Sequence, residues 1–145
     1  MGCDDVTISE PNPGRRAHLE ANAWDKVTDA PQGMFPIVVD AVGYAATRTV
    51  STEHASAGGV IAHVGLGEAA GGLDIRRMTL QEITFIGTYC YSAEEFRETA
   101  QAIFEGRLGA LDWFDTRPLD QGDAAFSEIH AGQVAAPKTV LLPWS

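Results

Sequence analysis

The fold class follows from one short stretch of the chain, Pro36-Ile37-Val38-Val39-Asp40-Ala41-Val42-Gly43. Its apolar residues follow one another with little interruption, several are β-branched, and a glycine ends the run. Strands that are buried on both faces of a parallel sheet have this composition, whereas half-buried strands alternate apolar with polar residues. The stretch therefore predicts an inner strand of an α/β protein.

Helices and strands alternate on the downstream side of this strand. A helix is predicted over residues 45–56, and apolar runs predict further strands at 60–64 and 82–88. The polar, glycine-rich residues 68–74 between the last two strands predict a loop. Parallel strands joined through a helix connect right-handedly, so we expect a right-handed strand-helix-strand unit.

Shorter elements are predicted toward both ends of the chain. Residues 16–29 upstream predict a helix. Downstream, an amphipathic helix is expected to end at Gly106, and a second helix to run from a cap at Asp120 to Gly132. After these helices, residues 138–142 predict a final strand.

Composition and charge exclude several classes of function. The chain has 145 residues, 45% of them hydrophobic, and a formal net charge of −10, which suits one or two small globular units. An acidic chain does not favour nucleic-acid backbones, which bind clustered Lys and Arg. No apolar stretch approaches the roughly 20 residues of a membrane span, and the start lacks the basic region and apolar core of a signal peptide. We therefore expect a cytoplasmic protein without nucleic-acid or membrane partners.

Six segments, in this order along the chain, resemble one known family. They are residues 1–6, 39–43, 58–66, 82–89, 118–126 and 138–143. The chain resembles the medium-chain dehydrogenase and reductase family, and within it the C-terminal part of the zinc-dependent alcohol and polyol dehydrogenases, the branch of the sorbitol and threonine dehydrogenases. In that family a GroES-like catalytic domain comes first, a Rossmann domain is inserted, and the last part of the chain returns to the catalytic domain.

The resemblance implies a domain division and a strand order. Residues 1–90 correspond to the C-terminal part of a Rossmann NAD(P)-binding domain, a doubly wound parallel sheet, and residues 91–145 to the segment that returns to the GroES-like catalytic domain. In the strand order 3-2-1-4-5-6, strand 3 is residues 6–8, and strands 4, 5 and 6 are residues 37–42, 60–64 and 83–88. Strands 1 and 2 have no counterpart.

The same resemblance predicts a fragment. In the family, the glycine-rich phosphate loop, the acidic residue on the ribose and the zinc ligands all lie upstream of the part that resembles this chain, and Met1 corresponds to a position inside the family's chain. We therefore expect a chain that is inactive and poorly stable by itself. Strand 3 lacks its family neighbour, and strand 4 becomes a hydrophobic edge.

A candidate cofactor site follows from the ends of the predicted strands. Ligands of a doubly wound sheet bind outside the carboxyl ends of its strands, so three loops are expected to meet at one edge. The resemblance implies that backbone groups there lie against the nicotinamide and its ribose, and that Lys138 lies against the pyrophosphate. The predicted cofactor-binding residues are Ala41, Val42, Gly43, Val64, Gly65, Leu66, Thr88, Tyr89, Cys90 and Lys138.

Each of these predictions has a structural alternative. Val42, Val64 and Leu66 also suit core positions at strand ends, and Lys138 suits a solvated strand start. We predict that Asp40 is hydrogen-bonded architecture.

The sequence predicts no catalytic residue and no metal ligand. The histidines are interpreted as structural, because none has a second ligand at metal spacing; they are His54, His63 and His130. Cys3 and Cys90 lie too far apart in sequence for a Cys-x-x-Cys pair.

Three functions remain open at this point. The first is a fragment of a zinc-type NAD(P)-dependent alcohol or polyol dehydrogenase. A full-length relative would bind the nicotinamide cofactor, use zinc to polarise a small alcohol, and pair as a homodimer through the strand at 82–88. The second is a non-catalytic dimerising or binding remnant, and the third is a zinc-independent relative of the quinone reductases.

Overall fold

The computed structural model describes residue 3, residues 5–22 and residues 26–144. The chain divides into two compact units. We call Met1–Ala30 with Ala93–Ser145 the terminal unit, and Pro31–Ser92 the central unit. No helix in the described part of the chain is long and apolar enough to cross a membrane.

The described elements alternate between short strands and helices. In chain order they are β1 (Ile8–Ser9), α1 (Pro13–Ala21), β2 (Val27–Thr28), β3 (Phe35–Asp40), α2 (Ala45–His54), β4 (Ala55–His63), α3 (Ile75–Leu80), β5 (Thr84–Gly87), α4 (Ala93–Phe104), β6 (Asp115–Pro118), a 3₁₀ turn (Leu119–Gln121), α5 (Gly122–His130) and β7 (Thr139–Leu142).

The central unit is built on a three-stranded parallel sheet in the order β3-β4-β5. Helix α2 joins β3 to β4, and β4 starts at the residue after α2 ends. Strands β3, β4 and β5 therefore take the predicted places of strands 4, 5 and 6. The short helix α3 lies just after the predicted loop, where no element was expected, and Asp74 caps it by accepting the N–H of Arg77 at 2.8 Å.

One face of this sheet carries the core. Val38, Ile61 and Phe85 lie opposite one another on the three strands, and Ile61 is fully buried in a cluster with Ala55 and Ile83. The alternate row on β3 faces the other way, where Ile37 and Val39 are 66% and 63% exposed.

The prediction of a strand buried on both faces is therefore wrong. A parallel sheet is buried on both faces only where a layer packs against each of them, and the core cluster packs against one.

The first part of the terminal unit differs from the sequence prediction. Instead of a helix over residues 16–29, α1 begins at Pro13 and ends at Ala21. Asn12 sets this start, since its side-chain oxygen accepts the N–H groups of Gly14 and Arg15 and proline favours the first helical position. Val27–Thr28 then forms β2, which pairs in parallel with β1. Strand β1 overlaps the strand predicted at residues 6–8 only at Ile8.

The second part of the terminal unit holds a parallel pair, β6 and β7. Strand β7 confirms the predicted final strand. The predicted ends of α4 and α5 are confirmed as well, because Gly106 and Gly132 follow these helices with φ near +68°. Asp120 is not the cap of α5: it lies in the 3₁₀ turn, and Gln121 takes the cap position. Strand β6 lies in a stretch that the sequence did not assign.

An ion pair links β6 to α5. Arg117 Nη2 donates to Glu128 Oε2 at 2.6 Å, and this hydrogen bond lowers the pKa of the Glu128 carboxyl. The pair stabilises the fold at neutral pH, and the contribution is lost as the pH falls through the lowered pKa. Both side chains are partly exposed, so solvent and salt screen the pair.

The division of the chain at residues 90 and 91, which the resemblance implies, stays a prediction. By contacts, the chain changes unit between Ser92 and Ala93, close to the predicted boundary, and residues 1–30 group with the C-terminal residues.

Replacing Ile61 by Ala tests the core. Ile61 is fully buried, so we expect Ile61→Ala to lower the free energy of unfolding by about 2–5 kcal/mol, the usual cost of truncating a buried aliphatic side chain. Ile37→Ala, on the neighbouring strand β3 and 66% exposed, is the matched control and should cost much less. Urea unfolding of both variants measures the difference, and equal losses would contradict the assigned core.

Candidate functional site

The three strands of the central unit end together at one edge. Asp40, His63 and Gly87 lie opposite one another at the carboxyl ends of β3, β4 and β5. The N–H groups of Val64 and Gly65 donate to the carbonyl of Asp40 at 2.9 and 3.1 Å, and the N–H of Thr88 donates to the carbonyl of His63 at 2.8 Å. The predicted loops at 41–43, 64–66 and 88–90 therefore all leave the sheet at this edge.

The side chain of Asp40 shapes the first loop. It is buried, and its Oδ1 accepts the N–H groups of Val42 and Gly43 at 3.1 and 2.9 Å. A carboxylate that binds the backbone two and three residues ahead fixes a tight turn. The prediction that Asp40 is hydrogen-bonded architecture is confirmed.

The first two loops touch backbone to backbone through glycines. Gly43 has a φ of +75°, and a Cβ placed on it would lie 2.1 Å from the carbonyl oxygen of Gly65. Gly67 N–H donates to the carbonyl of Val42 at 3.0 Å, and Glu68 N–H donates to the carbonyl of Gly43 at 2.9 Å. We call residues 41–43 together with 64–68 the edge platform.

Among the residues that the sequence did not single out, Arg48 contributes most to the structure of this edge. It is 5% exposed, and its guanidinium donates to four carbonyl oxygens at 2.6 to 3.1 Å, those of Gly43, Glu68, Ala70 and Gly71. These loop carbonyls lack the partners that a helix or strand provides, and guanidinium is the side-chain group with enough donors to satisfy several at once. No sequence signal marks this role, because an arginine within a helix ordinarily lies in solvent.

Two buried polar atoms behind the platform have no hydrogen-bond partner among the described residues. They are Asp40 Oδ2 and His63 Nδ1, which lie 3.9 Å apart, beyond hydrogen-bonding distance. The imidazole of His63 packs edge-on against the ring of Phe85, with centroids 5.2 Å apart. His54 Nδ1 lies 2.7 Å from the carbonyl oxygen of Gly33. Both histidines thus have structural contacts.

The apolar side chains of the platform are open to solvent. Val42, Val64 and Leu66 are 48%, 44% and 76% exposed, so the alternative that they are core residues is wrong. Tyr89 and Cys90, which follow β5, are exposed as well. A cavity of about 500 Å³ borders Leu66 and His63. A planar ligand can therefore reach this edge.

Lys138 belongs to the terminal unit, where it directly precedes β7. It is exposed and, with Arg15 and Thr139, lines a cavity of about 300 Å³. Its contact with a pyrophosphate stays a prediction. Among residues 3, 5–22 and 26–144, no group of three or more His, Cys, Asp and Glu side chains is placed to hold a metal ion.

A parallel sheet with a helical crossover and a glycine-rich carboxyl edge defines an α/β protein of the Rossmann type. The chain belongs to the zinc-binding dehydrogenase family, because the model of that family matches residues 1–105. The resemblance found in the sequence is thereby confirmed, and so is the fold class. No curated protein sequence matches the chain.

Solved structures of three oxidoreductases share this fold. L-idonate 5-dehydrogenase from Escherichia coli matches with a TM-score of 0.77 and 18% identity, over 96% of this chain and 43% of that one. Acetophenone reductase from Geotrichum candidum, solved with NAD, matches with 0.78 and 18%, over 94% and 40%. A cobalt- and zinc-bound alcohol dehydrogenase from Pyrobaculum aerophilum matches with 0.71 and 24%, over 94% and 42%. The chain spans less than half the length of each.

Replacing Gly43 by Ala tests the contact between the loops. Gly58 is the control: its φ is +69°, similar to that of Gly43, but nothing lies within 4 Å of an added Cβ. We expect Gly58→Ala to cost about 1–2 kcal/mol from backbone strain alone. Gly43→Ala should cost more than about 3 kcal/mol, since the two loops must separate. Thermal unfolding of the two variants measures this, and equal losses would show that the loops do not touch.

Proposed function

We propose that this chain forms the nicotinamide side of the cofactor site of an NAD(P)-dependent dehydrogenase, which transfers hydride between a secondary alcohol and nicotinamide. One observation carries the proposal: the edge platform brings main-chain groups and exposed apolar side chains together at the carboxyl edge of a parallel sheet. Ligands of Rossmann-type proteins bind at this edge. Family membership and the oxidoreductases of the same fold support it.

The chemistry of the platform fits a nicotinamide ring. The ring is flat and mostly apolar, which suits the exposed side chains of Val42, Val64 and Leu66. Its carboxamide has one donor and one acceptor group. Because the N–H groups of Val64 and Thr88 are already bound within the sheet edge, we assign the carboxamide N–H₂ to the carbonyl oxygens of these two residues. Ala41 to Gly43 would then flank the ribose.

The bound nicotinamide supplies the hydride acceptor. In a complete dehydrogenase the nicotinamide would accept hydride from the alcohol. We attribute to this chain the binding and orientation of the nicotinamide ring, which position it for hydride transfer. The described residues offer no ligand set for zinc, so zinc chemistry is not attributed to them, and the alcohol or polyol substrate remains part of the proposal. The cytoplasmic location stays a prediction.

Binding measurements on the chain test the cofactor assignment. We expect NADH and reduced nicotinamide mononucleotide to bind with similar, weak affinity, with dissociation constants of about 1 mM or above. The reason is that no Gly-x-Gly-x-x-Gly loop follows a strand in residues 1–145 to hold the diphosphate. Saturation-transfer NMR detects binding of the ring protons, and calorimetric titration gives the affinity.

The two ligands separate the possible outcomes. Micromolar binding of NADH alone would show a complete phosphate site in the chain, contrary to the proposal. No transfer to the ring protons of either ligand would instead favour a non-catalytic remnant.

We further propose a homodimer through the strand predicted at 82–88. Strand β5 lies at one edge of the sheet and β3 at the other, and unpaired strand edges readily pair with another chain. Ile86→Lys places a charge on the proposed interface and should convert the dimer to a monomer. Ile37→Lys, on the opposite edge strand and also exposed, is the matched control. Sedimentation gives the mass; dissociation by the control variant alone would move the interface to β3.

A further inference from the structure

We propose that Arg48 is a positioning residue that holds the edge platform in its cofactor-binding geometry before the cofactor arrives. This inference rests on the proposed function and adds to it a residue that lies outside the platform. It would act through the loops and not by contact with the nicotinamide.

The bonding of Arg48 is unusual for a buried cation. Among the described residues it forms no ion pair within 4 Å, and its guanidinium donates to main-chain carbonyls instead. A buried charge is costly unless hydrogen bonds compensate for it. An apolar side chain would fill the same place in α2 without that cost, so the specific effect of the guanidinium is to fix the loops.

The four carbonyls lie in both loops of the platform and in the residues that follow the second loop. Both backbone groups of Gly43 are hydrogen-bonded. Its N–H donates to Asp40, and its carbonyl accepts from Arg48 and from the N–H of Glu68. Residues 70 and 71, which lie in no helix or strand, bind the same guanidinium. One planar group therefore sets the distance between the loop after β3 and the loop after β4.

Helix α2 adds two further attachments to the same loop. Ala45 N–H donates to Glu68 Oε2 at 2.7 Å, and Thr49 Oγ1 donates to the carbonyl of Gly72 at 3.0 Å. With Arg48 between them, these residues fasten the loop along one face of the helix. Both hydrogen bonds are exposed, whereas Arg48 is buried, so Arg48 is the attachment that water does not readily replace.

Ordering loops during binding costs conformational entropy, and a site that is already ordered avoids this cost. If Arg48 orders the platform, weakening it should reduce cofactor affinity by more than its effect on stability explains. Arg77 provides the matched control. It lies in the same unit and also donates to carbonyls, those of Thr52 and Ala55 at 2.7 and 3.1 Å, but these lie at the end of α2 away from the platform.

The experiment compares Arg48→Lys with Arg77→Lys in the full chain. We expect Arg48→Lys to raise the dissociation constant of reduced nicotinamide mononucleotide about tenfold or more, and to speed amide hydrogen exchange in residues 64–72. Arg77→Lys should lower the melting temperature to a similar extent without either effect. If Arg48→Lys unfolds the chain, Thr49→Val removes one bond to the same loop and should show the same changes on a smaller scale.

Three results would overturn the inference. The first is unchanged affinity in a folded Arg48→Lys variant, and the second is an affinity loss that Arg77→Lys matches. The third is a wild-type chain that gives no saturation transfer to the nicotinamide ring protons, which would overturn the proposed function as well. In that case the exchange rates still show whether Arg48 orders the loop.

Discussion

The close approach of Gly43 to Gly65 is the constraint on which the rest of the central unit depends. Two loops that follow neighbouring strands can touch through their main chains only where neither residue carries a Cβ. That contact places the carbonyl of Gly43 within reach of Arg48 and the N–H of Glu68. It also leaves the apolar side chains of the platform facing solvent and not each other.

The sequence predicted the architecture well where hydrophobic runs were continuous. Strands β3, β5 and β7 and helix α2 lie close to where the pattern placed them, and so do the glycines that follow α4 and α5. Strand β4 begins at Ala55, five residues before the predicted start at residue 60. The hydrophobic pattern failed where a single polar contact sets the start of an element. Asn12 starts α1 three residues early, and β2 replaces the end of the predicted helix because a strand was available to pair with it.

The candidate site was predictable in position but not in construction. Strand ends in a parallel sheet must meet at one edge, so the loops at 41–43, 64–66 and 88–90 could be named from sequence. The role of Arg48 could not, because an arginine within a helix ordinarily lies in solvent, and three of its four partners are carbonyls 20 to 23 residues away in the chain. Every residue has a main-chain carbonyl, so residue identity does not indicate which carbonyls an arginine binds.

That last property has an evolutionary consequence. Because the guanidinium recognises the peptide chain and not its side chains, the exposed residue Ala70 can change identity without loosening the loop. Its neighbours are more constrained, since Gly71 has a φ of +86° and the Glu68 side chain accepts the N–H of Ala45. Chains that keep such an anchor can diversify the surface beside the edge platform while the underlying backbone stays constant. Sequence drift in this loop would then alter which molecules approach the platform, at little cost to the scaffold.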